Sequence, residues 1–122
     1  MADIIVMKTS GKGAPKLDLG TPDPAKLIKG EYKTRTWNHF TGEDDRLYCG
    51  IWESTPGKVP VDYVEWEFCH FIEGEAILTN DKGKKWKLKK GDGFIIPAGF
   101  RGTWETVKKV RKHYVILMPD KT

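Results

Sequence analysis

Eight short runs rich in Tyr, Trp, Val, Ile and Thr follow one another from residue 32 onward, and their alternation with turn signals restricts the fold more than any other feature of the chain. The runs are YKTRTWNHF, RLYCGIWES, YVEWEFCHFIEG, EAILTND, KKWKLKKGD, GFIIPAG, GTWETV and RKHYVILM, broken at TGEDD, TPGKVP, NDKG, KGDG and PAGFRG. Aromatic and β-branched side chains suit a pleated, half-buried surface, while Gly, Pro, Asn and Asp between them supply turn conformations. The pattern predicts an all-β sandwich or barrel. A parallel α/β fold is excluded, because no segment carries the long 3.6-residue apolar period that crossover helices need.

The 122 residues amount to one domain, long enough to bury a core without staples. There is no internal repeat and no low-complexity segment. The first thirty residues, with GKGAPK, LGTPDPAK and LIKGEY, show Gly and Pro punctuation without a period. They are expected to form an irregular N-terminal extension over 1–30, ahead of a β-domain over 31–122. Within the extension, Pro24 to Gly30 is expected to make one helical turn after Asp23.

Composition removes several function classes. No apolar run approaches the roughly 18 residues of a membrane span, and MADIIVMKTS lacks the charged start and apolar stretch of a signal peptide, so a cytoplasmic location without membrane contact is expected. Two cysteines, Cys49 and Cys69, provide neither a CxxC zinc pair nor a disulfide framework, and reduced thiols are expected. The formal charge of +4 comes largely from DKGKKWKLKKGD. There Lys85, Lys87 and Lys89 alternate with Trp86 and Leu88, which writes a strand with one wet face rather than a nucleic-acid surface.

Two turns are specific enough to name a family. EFCHFIEGEAIL places Glu67 seven residues before Gly74, and KGDGFIIPAG places Gly91-Asp92 ahead of Pro97 and Gly99. Together they resemble the two halves of the cupin signature. GIWESTPGK, EWEFCHFIEGEA, GDGFIIPAGFRGTWE and VRKHYVIL are similar to the small single-domain cupins that share their module with (S)-ureidoglycine aminohydrolase, over approximately Thr34 to Leu117. The resemblance implies a single-domain, RmlC-like jelly-roll barrel whose cavity is the site. Gly74 and Gly91 suit turns at positive φ, Pro97 suits a strand end, and Asp92 can fix a turn through backbone amides, so all four are read as architecture.

The same resemblance implies a metal site built from His-x-His, the Glu and a later His, and this chain departs from it. Alignment on Glu67 puts Val61 and Tyr63 at the His pair, alignment on Gly57 puts Tyr63 and Glu65 there, and the last ligand falls on Gly102. Only Glu67 remains, so neither a metal nor another cofactor is expected, although Glu67 with an imidazole from another strand stays open as an atypical site. His70 lies three residues past Glu67 and therefore on the opposite strand face. His39 and His113 have no paired ligand nearby in sequence. Cys69 shares the parity of Glu67 but has no adjacent base to make it a nucleophile.

With Glu67 turned inward as in cupins, Tyr63, Glu65, Cys69 and Phe71 share its face, while Trp66, Phe68, His70 and Ile72 take the other. Apolar groups at both parities predict that the outer face is covered, by a second protomer or by the N-terminal segment, and a homodimer is expected. Trp52, Tyr63, Arg101, Trp104 and Lys112 are expected to join Glu67 around a pocket with aromatic walls, one carboxylate and one or two cations, fit for a small polar or anionic metabolite. In an enzyme without metal, Glu67 would act as base while Lys112 or Tyr114 polarises a carbonyl or supplies a proton, in a lyase, isomerase or hydrolase. A binding module without chemistry and a metal-dependent hydrolase like the aminohydrolase, with an atypical site, are the alternatives.

Overall fold

A computed structural model describes residues 2–42 and 44–120. In chain order its strands are β1 (Asp18–Gly20), β2 (Lys29–Gly30), β3 (Thr34–Gly42), β4 (Leu47–Ser54), β5 (Gly57–Asp62), β6 (Trp66–Asn80), β7 (Lys85–Lys89), β8 (Gly93–Ile96) and β9 (Arg101–Leu117). All pairings are antiparallel, and the described residues contain no helix, giving the jelly-roll fold.

The two long strands, β6 and β9, form the spine. The first half of β9 lies between β5, from Arg101 opposite Asp62 to Thr106 opposite Gly57, and the second half of β6. Its second half lies between β4, from Val110 opposite Ser54 to Leu117 opposite Leu47, and the first half of β6. The other edge of β6 carries β8 and then β7. One strand thus passes through both parts of the sheet, and side chains distant in sequence meet on its inward face.

Gly74 shows why these strands are long. The run ending at Gly74 and the run beginning at Glu75 are one strand, interrupted by bulges against β9 between Phe71 and Ala76. At φ 96° Gly74 lies so close to the Lys109 carbonyl oxygen that any Cβ would collide with it. The Glu-Gly pair therefore bends a continuous strand instead of ending one. GTWETV and RKHYVILM merge in the same way into β9. TPGKVP, read as a break, holds the start of β5, where Pro60 is accepted because β2 covers β5 only at Gly57 and Lys58.

The lead-in also departs from the expectation of an irregular segment. β1 pairs with β3, and β2 pairs with β5, so it adds a short strand to each end of the sheet. Strands of three and two residues are too short to display a period, which is why the pattern hides them. Between them the Asp23 side chain accepts from the Ala25 amide, and its carbonyl accepts from the Lys26 and Leu27 amides, forming a turn, but not the expected helical turn through Gly30, because Lys29 and Gly30 pair as β2.

Alternation sorts the faces. Glu67, Cys69 and Phe71 are buried whereas Trp66 and His70 are exposed. Trp104, Thr106, Val110, Lys112 and Tyr114 are the buried set of β9. Val59, Phe71, Ala76, Leu78, Ile96, Trp104 and Val110 form the core, with Leu88 packed against it. Lys85, Lys87 and Lys89 stay in solvent.

Candidate functional site

Inward side chains of β4, β6 and β9 converge because Lys112 stands opposite Trp52 on one neighbour and opposite Phe71 on the other. The Lys112 ammonium donates to Glu67 Oε2 at 2.8 Å and lies 3.4 Å from Cys69 Sγ. The Cys69 thiol donates to the same oxygen, Glu67 Oε2, at 3.2 Å. Nζ is also 4.5 Å from the ring centroid of Trp52 and 4.7 Å from that of Trp104. Lys112 and Glu67 are each only 4% exposed.

Burying an ammonium is costly unless it is paired and hydrogen-bonded, and here one carboxylate and two indole faces supply the compensation. The indoles are themselves held. Trp52 and Trp104 meet edge to face at 5.4 Å. Trp104 Nε1 donates to Thr106 Oγ1 at 2.8 Å, which shares a 2.9 Å hydrogen bond with Ser54 Oγ.

Protonation states follow from the surroundings. Burial alone would lower the Lys112 titration, but Cys69, Glu67 and Tyr63 outweigh it and hold the ammonium above the ordinary lysine range. Burial pushes the Cys69 thiol up to about 12, and burial raises the Tyr63 phenol further still. Both are neutral at ordinary pH, so Glu67 is the negative charge that retains the Lys112 proton there. Burial likewise pushes Tyr32 and Tyr114 up to about 12.

The pair opens on a cavity of about 510 Å³. Tyr32, Tyr48, Tyr63, Tyr114, Trp52 and Trp104 form its aromatic walls, and Glu65, Glu67, Lys112, Thr36 and Asn38 its polar points. Tyr114 donates to Asn38 Oδ1 at 2.8 Å, and Asn38 Nδ2 donates to Thr41 Oγ1 at 2.9 Å, so that wall is braced from β3.

Six of the seven residues singled out from sequence, Trp52, Tyr63, Glu67, Trp104, Lys112 and Tyr114, line this one cavity. Arg101 does not. It is exposed, 3.7 Å from Asp62, and faces a separate recess beside Lys26 and Pro60. It opens β9 three residues before Trp104, and an odd separation on a strand turns the two side chains to opposite faces. The cavity therefore holds two carboxylates and one cation instead of the expected one carboxylate with one or two cations.

Sequence reasoning also missed residues. Thr36, Asn38 and Ile116 share faces with residues already chosen, and strand parity with the correct pairing would have found them. Tyr32 gave no signal, since a left-handed backbone at φ 50° and a hydrogen bond donated by its N–H to the Pro56 carbonyl put it against the wall. Cys69, which shares the parity of Glu67, contacts both Glu67 and Lys112.

The three histidines stand away from Glu67. His70 and His113 stack at 6.2 Å on the outer face, and His39 Nε2 meets the backbone of Lys8. Among the described residues no three His, Cys, Asp or Glu groups come together as a metal site would require. With Oε2 of Glu67 taken by an ammonium and a neutral thiol, the donor set does not fit the metal centre typical of cupins.

Comparison with known proteins agrees with the fold. The EutQ-like cupin domain family matches residues 41–114. No curated protein matches the chain. A protein of unknown function of the DUF861 family from Pseudomonas syringae pv. tomato is similar in structure, with a TM-score of 0.74 and 27% identity over 83% of this chain and 44% of that one. The chain thus spans less than half of that protein. The EutQ protein of Clostridium difficile gives a TM-score of 0.63 and 26% identity over 73% of this chain and 71% of that one. A DUF861 family protein from Thermotoga maritima gives 0.51 and 27% over 81% and 97%.

Proposed function

The chain belongs to the EutQ-like cupin domain family, and we propose that it binds a small polar metabolite in the cavity between Glu67, Lys112 and the tryptophans, without a metal ion. The observation that carries this reading is the buried Glu67–Lys112 pair at the cavity wall. A buried ion pair is a poor way to gain stability, since a well-packed apolar pair of similar volume is often as good or better. Its position on a cavity of about 510 Å³, within the size range of ligand pockets, gives it a use.

The metal-independent acid/base enzyme is the second reading, supported by the 2.8 Å contact between Lys112 and Glu67 within reach of a bound molecule. Proton-transfer groups work best when they titrate near the operating pH. Lys112 is held above its ordinary range and Tyr114 is pushed up to about 12, both away from neutrality. Fixed protonation states suit recognition better than proton transfer.

A thermal-shift screen of polar metabolites against the parent, Glu67→Gln and His70→Gln tests the reading. Compounds that stabilise the parent should stabilise His70→Gln and lose their effect on Glu67→Gln. Equal stabilisation of Glu67→Gln, or elemental analysis finding near one transition metal per chain that is lost with Glu67→Ala, would sink it.

A further inference from the structure

We propose that the cavity selects small molecules carrying an ammonium group and turns anions away. The inference rests on the binding reading above and adds the ligand's charge. The chain is formally +4, yet the charged groups lining its cavity are Glu65, Glu67 and Lys112, a formal sum of −1. Charge is sorted so that positive groups face outward and the excess negative charge faces in.

Two acceptors are available to a ligand. Glu65 makes no ion pair or hydrogen bond with any described residue, although it lines the cavity. The bonds from Lys112 and Cys69 both converge on Glu67 Oε2, which leaves Oε1 to a guest. Glu65, in the bend just before β6, and Glu67, two residues further on, both line the same cavity, so a single ammonium has two carboxylates to meet there.

The surroundings act in the same direction. Six aromatic side chains line the cavity, and the faces of aromatic rings attract cations. An incoming carboxylate or phosphate would meet one ammonium already matched by Glu67 and caged by two indoles, with Glu65 unmatched beside it. Arg101, the other cation expected there, opens onto a different surface.

Three probes of matched length separate the possibilities: 4-amino-1-butanol, 4-hydroxybutanoate and butane-1,4-diol. Each is titrated at low salt into ¹⁵N-labelled protein, with the indole N–H signals of Trp52 and Trp104 as cavity reporters. The amine is expected to bind at least about tenfold more tightly than the carboxylate, because two carboxylates at the cavity attract an ammonium and repel another carboxylate. Glu65→Gln should shrink that ratio severalfold. A carboxylate that binds as tightly as the amine, three probes that bind alike, or a ratio indifferent to Glu65→Gln overturns the charge preference and leaves the cavity reading standing. No shift of either indole with any probe overturns both.

Discussion

Replacing Lys112 with Met keeps a chain of similar length beside Trp52 and Trp104 but removes the cation paired with Glu67. Breaking one side of a buried pair typically costs about 3–5 kcal/mol, because the remaining charge is stranded. Both partners are 4% exposed, so little solvent screening reduces that figure. Without the ammonium its attraction to the two indole faces also disappears, which adds to the cost, and thioether packing on the same rings offsets part of it. The net expectation is about 4 kcal/mol at pH 7, roughly a 15 °C fall in Tm for a domain of this size. Urea unfolding followed by tryptophan fluorescence measures it.

The pH dependence has a definite sign. In the parent, Lys112 is held above its ordinary range, so its contribution is complete at and below the usual lysine titration and disappears only as pH rises beyond it. The Lys112 side of the pair is therefore intact up to about pH 9. Glu67→Leu together with Lys112→Met should recover most of the loss, since neither charge is then stranded. A deficit under about 1 kcal/mol for Lys112→Met, or a double variant no more stable than the single, would show that the pair is not the buried unit described.

The thiols provide a second test: Cys49 is half-buried, whereas Cys69 is 0% exposed and its thiol is pushed up to about 12. Iodoacetamide at pH 8 should label Cys49 first and Cys69 at least about a hundredfold more slowly, by intact mass, and comparable rates would show that the cavity wall opens readily. A third concerns the outer face, where Trp66, Ile95 and Leu117 remain exposed. Sedimentation at tens of micromolar, roughly where a modest dimer populates, should find a homodimer that Trp66→Glu disrupts, and a monomeric parent would remove that assignment.

What could be read from the sequence followed from period-two alternation. Parity alone puts Glu67, Cys69 and Phe71 on one face and Trp66 and His70 on the other, and it puts Lys112 with Tyr114. It does not say which strands are neighbours. Lys112 and Glu67 are 45 residues apart, and their 2.8 Å contact depends on β9 lying beside β6 in a register that bulges near Gly74 reset. The glycine that reads as a turn is the feature that sets the pairing. Arg101 falls outside the cavity for a related reason: its nearness in sequence to Trp104 suggests a shared wall, while on a strand an odd separation matters more than a short one. With Arg101 outside and Glu65 inside, the cavity's excess charge changes sign, and with it the class of molecule proposed to bind there.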